Sequence, residues 1–176
     1  MPQVRKGAVT MKGEPKDLVG PELKPGDKAP DFTCVGAGLT LVSLKDTAGR
    51  VRLFNVVPSL DTPVCNIQTR KFGEKFNALG DKVAAYTVSL DLPFAQKRWC
   101  DEAQVTSMQN LSDTHNHSFG ENWGVLLQGL PMPLLARAIF VVDKNDIIRH
   151  VEIVPEIATE PNYDAAMKAI EEAVGA

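Results

Sequence analysis

Short apolar runs separated by turn residues alternate along this chain with stretches whose apolar positions recur at helical spacing. Val51 to Val57 (VRLFNVV) is apolar almost throughout, as suits a strand covered on both faces, and Pro58 interrupts it. After Ser59-Leu60-Asp61 comes Thr62-Pro63, which reads as a helix start because threonine is a good N-cap and proline is favoured at the first helical position. Phe72, Phe76 and Leu79 carry that helix to a stop at Gly80. Lys82 to Ser89 then holds a second strand, VAAYTVS, and Asp91-Leu92-Pro93 opens a helix bearing Phe94, Arg98, Trp99 and Cys100. Further on, the pattern predicts a short strand around Met108 to Leu111, a helix around Ser118 to Trp123, and strands from Arg137 to Val142 and Ile147 to Val154. Lys144-Asn145-Asp146 suits the turn between those two strands, and a last helix runs from Tyr163 to Val174.

Ahead of this series, Ala8-Val9-Thr10-Met11, the turn Lys12-Gly13-Glu14-Pro15, and Leu18 with Val19 predict a hairpin. A stretch marked by Pro21, Pro25 and Pro30 leads to a short strand over Asp31 to Val35. Strand and helix in alternation, closed by a hairpin and a final helix, predict an α/β fold with a mixed central sheet flanked by helices. No repeat, low-complexity tract or linker divides the chain. One domain over residues 1–176 is therefore expected, with residues 1–20 as an N-terminal hairpin extension.

Composition fits this picture. A chain of 176 residues, 44% hydrophobic and 23% charged, has enough apolar residues for one globular core and too many for a disordered or fibrous chain. Its net charge of −3 comes from 19 basic and 22 acidic residues spread without a basic block, which argues against nucleic acid as a partner. The longest apolar runs, such as Ala138 to Val142, fall far short of the roughly 18–20 residues of a membrane helix. Residues 7–17 lack the apolar stretch of a signal peptide, so the expected location is the cytoplasm, a signal already removed aside. Three cysteines are too few for a disulfide scaffold, and an odd number leaves one unpaired, which in a reducing compartment points to chemistry or burial.

Cys65 lies in the first turn of a predicted helix, where free backbone N–H groups favour a thiolate, the reactive form of the thiol. Thr62 can accept a backbone N–H while its hydroxyl proton points towards the sulfur. Pro58 and Pro63 bracket the loop and stiffen it. Asp61 is acidic, and Arg70 and Lys71 fall off the face of Cys65, so a cation must come from elsewhere. Arg137, at the start of a strand in the apolar context LLARAIFVV, is the best candidate, because an unpaired charge there would be costly. On these residues alone two readings stand side by side: Cys65 as a small buried hydrophobe and Arg137 as a solvated edge residue, or the two as a nucleophile and its cation.

The stretch Pro58-Ser59-Leu60-Asp61-Thr62-Pro63-Val64-Cys65 resembles the peroxiredoxin signature Pro-x-x-x-Thr-x-x-Cys, in the form typical of the bacterial thiol peroxidase subfamily. The resemblance continues through Asp91-Leu92-Pro93-Phe94-Ala95-Gln96, Arg98-Trp99-Cys100, Leu135-Ala136-Arg137-Ala138 and Glu156-Ile157-Ala158-Thr159-Glu160-Pro161. It implies a thioredoxin-like fold with an extra N-terminal hairpin. It also implies an atypical two-cysteine peroxiredoxin in which Cys65 is the peroxidatic cysteine and Cys100 the resolving one. Thr62 and Arg137 would hold the thiolate and the peroxide oxygens, two donors aimed at a developing negative charge, and Pro58 would shield the sulfur. The implied substrate is a hydroperoxide, the implied reductant a thioredoxin-type protein, the implied assembly a homodimer. No cofactor or metal is implied.

Cys34 stands in no motif, in a strand expected to pack in the core, and receives no role. Cys65, Cys100, His115 and His117 are a zinc set on paper, but no Cys-x-x-Cys pair is present, and His115, His117 and His150 read as solvated or satisfied by hydrogen bonds. A thioredoxin-like redox sensor or binding module that relays oxidation to a partner would use the same two cysteines; rapid peroxide turnover with thioredoxin separates the enzyme from it.

Overall fold

The structure, a computed structural model, describes residues 2–175. In chain order the strands are β1 (Val4–Met11), β2 (Glu14–Val19), β3 (Thr33–Val35), β4 (Leu41–Ser43), β5 (Val51–Val56), β6 (Val83–Ser89), β7 (Gln109–Ser112), β8 (Leu126–Gln128), β9 (Leu134–Leu135), β10 (Ala138–Val142) and β11 (Ile148–Ile153). The helices are α1 (Pro63–Phe76), α2 (Pro93–Ala103), α3 (Ser118–Asn122) and α4 (Tyr163–Gly175). Among the described residues the strands form a mixed sheet in the order β11-β10-β5-β6-β7-β3-β4 and a smaller one in the order β1-β2-β8-β9.

The central strands justify their apolar runs. β5, β6 and β10 are buried along their whole length, because helices cover one face of the large sheet and loops, α3 and the small sheet cover the other. On the first face Val51, Leu53, Val83, Ile139 and Val141 pack against Phe72 and Phe76 of α1 and Ala166 and Ile170 of α4. On the second, Phe54 sits among Phe32, Tyr86, Phe119 and Trp123, with ring centroids 5.1–5.8 Å apart. Such aromatic packing adds a directional preference to the burial itself.

The predicted hairpin forms, its two-residue turn made by Lys12 and Gly13 at φ 51° and 82°. Two positive φ values match the strand twist, and glycine accepts one without strain. β4, β8 and β9 have no counterpart in the sequence reading. They are two or three residues long, too short for an alternation to show, and β8 is held by pairing to β2. α1 ends at Phe76 rather than running to Gly80, because Ala78 and Leu79 donate three residues back and tighten the last turn. No helix among the described residues is long and apolar enough to cross a membrane.

Candidate active site

β5 and β6 run parallel, and the loops leaving their C-terminal ends carry the candidate residues, the usual place for a site in an α/β sheet. β5 delivers the chain to Val57, buried Pro58 and a turn in which the amide and hydroxyl of Thr62 both donate to the Ser59 carbonyl, at 3.2 and 2.9 Å. Pro63 then opens α1, which puts Cys65 in its first turn, fully buried among Val57, Leu60 and Trp99. Here the structure departs from expectation, because Thr62 does not turn its hydroxyl to the sulfur. The Ser59 carbonyl is a stronger acceptor than a neutral thiol and lies within the same turn.

Arg137 enters from the neighbouring strand. Ala138 pairs with Val56, so the arginine just before β10 arrives beside the end of β5. Only 2% of it is exposed. Its Nη1 donates to Cys65 Sγ at 3.1 Å and to Gln68 Oε1 at 2.9 Å, while Nε donates to the Ile157 carbonyl at 2.6 Å. Among the described residues no carboxylate lies within ion-pair distance of this guanidinium. Burying a charge without a counter-ion costs several kcal/mol by order of magnitude, offset only where hydrogen bonds or an anion meet it. Of the groups hydrogen-bonded to Arg137 among the described residues, the one able to become an anion is the Cys65 thiol, while Glu160 and Tyr163 stand near enough to feel the charge of the arginine.

Behind the arginine lies a polar network that sequence reasoning missed. Gln68, one turn along α1 from Cys65, donates its amide to Asn55 Oδ1, and Asn55 Nδ2 donates to Thr69 and Thr87 at 3.0 and 3.3 Å. All four are fully buried. With its nitrogen engaged by Asn55, the Gln68 amide must present its oxygen to Arg137. A polar residue three positions from Cys65, on the buried side of α1, was the available signal.

Asp91, at the end of β6, is a second residue that sequence reasoning left without a role. Its carboxylate accepts from Ser59 Oγ at 2.7 Å, Leu60 N at 2.8 Å and Ser89 Oγ at 2.9 Å, tying the Cys65 loop to the segment that starts α2. Arg98 of α2 also meets Asp61 at 3.2 Å. Arg70 and Lys71 stay away from the sulfur as expected: Arg70 lies over the Trp99 ring at 5.7 Å, and Lys71 pairs with Glu160 at 2.9 Å.

Cys100 sits deep in α2, half-buried, with Asn110 donating to its sulfur at 2.9 Å. Burial pushes its thiol up, and Asn110 offsets part of that. It borders a cleft of about 640 Å³ between residues 36–42, α2 and β7, into which Leu39, Val42, Phe94 and Met108 also project. All three cysteines are free. Cys34 is buried in β3 with its thiol 3.6 Å from Asp113, and burial followed by that carboxylate pushes it far up. One expectation for the histidines is overturned. His150 Nε2 is buried without a hydrogen-bond partner among the described residues, and burial lowers the imidazole, with Glu152 opposing the shift. Among the described residues no cluster of three or more His, Cys, Asp or Glu side chains is arranged to hold a metal ion.

A mixed sheet whose parallel strands present a helix-starting cysteine to a buried arginine defines a thiol-based redox protein of thioredoxin-like fold. The comparisons agree. Residues 24–167 match the Redoxin family model. The chain is 48% identical to the thiol peroxidase of Halalkalibacterium halodurans over 95% of this chain and 99% of that one, and 47% identical to the thiol peroxidase of Bacillus subtilis over 92% and 95%. A crystal structure of a peroxiredoxin-like protein from Aquifex aeolicus superposes with a TM-score of 0.88 at 40% identity, covering 96% of this chain and 99% of that one. The chain belongs to the Redoxin family, among its thiol peroxidases.

Proposed function

We propose that this chain is a thiol-dependent peroxidase whose reaction runs through Cys65 and Cys100. The observation that carries the reading is the buried Arg137 guanidinium, without a carboxylate partner among the described residues, donating to Cys65 Sγ at 3.1 Å. The Cys65 thiolate attacks the terminal oxygen of a hydroperoxide; the O–O bond breaks, and the leaving alkoxide takes a proton to depart as an alcohol, or as water from hydrogen peroxide. Cys65 becomes a sulfenic acid. Arg137 serves both the thiolate and the peroxide oxygens, Thr62 turns from Ser59 to join it when substrate arrives, and Pro58 keeps water from the sulfur.

The Cys100 thiol then condenses with the sulfenic acid, a Cys65–Cys100 disulfide forms, and water leaves. A thioredoxin-type dithiol reduces that disulfide, taking up its oxidation as a disulfide of its own. The cleft beside Cys100 supports this step, because it gives a second protein an approach to that sulfur. No bound cofactor enters the balance. One domain over residues 1–176 with its hairpin extension, a homodimeric assembly and a cytoplasmic location complete the reading, and size-exclusion chromatography with light scattering tests the assembly.

A coupled assay with thioredoxin and its reductase decides the main point. Fast hydroperoxide consumption by the wild type, its loss in Cys65→Ser, and an intramolecular disulfide in the oxidised protein are expected. Slow turnover with a mixed disulfide to a client protein would instead show a redox sensor.

A further inference from the structure

The motif Glu156-Ile157-Ala158-Thr159-Glu160-Pro161 and the N-terminal hairpin have no part in the chemistry above, yet they meet each other directly behind Arg137. Thr10 of β1 donates its amide to the Pro155 carbonyl at 2.7 Å and accepts from the Ile157 amide at 2.9 Å, so one hairpin residue grips the backbone on both sides of Glu156. The Glu156 carboxylate closes the joint. One oxygen accepts from Gly13 N at 2.7 Å and Thr10 Oγ1 at 3.2 Å, and the other from Ala158 N at 2.8 Å. Between those two anchored points lies Ile157, buried, whose carbonyl receives Arg137 Nε at 2.6 Å.

We propose that the N-terminal hairpin, acting through Thr10 and Glu156, is a positioning element for Arg137: it fixes the Ile157 carbonyl that aims the guanidinium at Cys65. The segment between β11 and α4 is tied to the sheet at its ends, by Val154 N to the Arg137 carbonyl and by Asn162 N to the Glu152 carboxylate, so the hairpin holds the stretch between them, and a carbonyl that moves there takes the arginine fork with it. The fork is planar, so fixing Nε at Ile157 and Nη1 at Gln68 determines its orientation towards the sulfur. Gly13 gives this joint a reason to use a tight turn, since its free N–H at the hairpin tip is what Glu156 captures. Glu156 is thus a positioning residue. It touches neither the sulfur nor the peroxide.

The inference rests on the reading that Arg137 serves Cys65, so the test carries Arg137→Met beside Glu156→Ala, Glu156→Gln and the double variant Arg137→Met/Glu156→Ala. The measurements are the second-order rate of Cys65 oxidation by hydroperoxide, the rate at which thioredoxin reduces the oxidised protein, and the melting temperature. Glu156→Ala is expected to slow peroxide attack by on the order of tenfold, as sub-ångström misplacement of a catalytic group does. Glu156→Gln, which keeps an acceptor for Gly13, falls between it and the wild type. Reduction by thioredoxin is unchanged, because the arginine acts before the disulfide exists. In the Arg137→Met background, Glu156→Ala is expected to add less than about twofold, since two changes acting through one group are not additive.

Equal slowing in both backgrounds overturns the proposal, as does a melting shift in Glu156→Ala with the peroxide rate unaltered. If Arg137→Met itself leaves the peroxide rate intact, it is the proposed role of Arg137 that fails.

Discussion

Replacing Arg137 by methionine keeps much of the side-chain volume and removes every donor, so the loss can be traced to particular hydrogen bonds. The first is the one to Cys65 Sγ at 3.1 Å. Unit charges at that separation interact by about 5 kcal/mol at an effective dielectric of about 20, an upper figure before any water enters the gap. Removal of a single donor aimed at developing negative charge costs about 10²–10³ in rate in other enzymes, or about 2.7–4 kcal/mol. Peroxide attack in Arg137→Met is therefore expected to fall by about that factor. The other two bonds set a separate stability cost: Gln68 Oε1 and the Ile157 carbonyl lose their donor, at about 1–3 kcal/mol for each buried acceptor left unsatisfied. Together that is about 2–6 kcal/mol, and at about 2–4 °C per kcal/mol for a chain of this size the melting temperature is expected to drop by about 4–24 °C. Stopped-flow oxidation at saturating reduction of Cys65 reads the first effect, and calorimetry the second. Arg137→Lys restores charge without the planar fork and should recover only part of the rate. A peroxide rate within about threefold of the wild type, in a folded Arg137→Met protein, would refute the electrostatic account of the site.

Cys65→Ser should abolish peroxidase activity with the fold intact, whereas Cys34→Ser, buried behind Asp113, should leave turnover in the coupled assay nearly unchanged; equal losses would break the assignment. Stoichiometric peroxide should change tryptophan fluorescence in the wild type and much less in Cys100→Ser. Trp99 packs in the same cluster as Cys65, whereas Trp123 sits in the aromatic cluster on the other face of the sheet and supplies a constant background. In Cys65→Ser, alkylation of Cys100 should keep rising with pH past the ordinary thiol value of about 8.5, because burial favours the neutral thiol. By linkage the same shift means that the folded state binds this proton more tightly than the unfolded chain, so its stability declines as pH rises through that value. A labelling profile that levels off at the ordinary value would show that Cys100 reacts only from an opened state.

What the sequence made legible follows from where each signal lives. The apolar runs of β5, β6 and β10 and the Thr62-Pro63 helix start are local, and local physics places them. Arg137 was legible for a different reason: a charge inside LLARAIFVV needs a partner, whatever that partner is. Its position in the peroxiredoxin resemblance then pointed to Cys65. The small sheet was not legible, because β8 owes its conformation to pairing with β2, more than a hundred residues away in the chain, and β9 in turn to pairing with β8. Gln68, Asn55 and Asp91 escaped for a related reason. Each is an ordinary polar residue until the fold buries it, and burial is what turns an amide or carboxylate into a directed contact.

The same contacts bear on how a site this enclosed would turn over by the proposed mechanism. Cys65 and Cys100 hold different partners, one Arg137 and the other Asn110, in the first turn of α1 and well inside α2, although Cys100 packs against the apolar cluster that contains Cys65. A disulfide requires Cα atoms within about 7 Å and sulfurs turned to each other, and forming the proposed one would break both of those contacts. The proposed disulfide therefore predicts that these segments open locally. Leu60 and Ser59 hang from Asp91, and Asp61 from Arg98, so the loop before Cys65 is tied to both ends of the segment that leads to Cys100. Once Cys65 carries an oxygen, its hold on Arg137 changes and α1 can fray. The rest of the core, anchored on Phe54 and Phe72 on opposite faces of the sheet, lies outside the segments expected to move. On the proposed mechanism, a site that buries its nucleophile depends on low-cost fraying of two helix segments to form its disulfide.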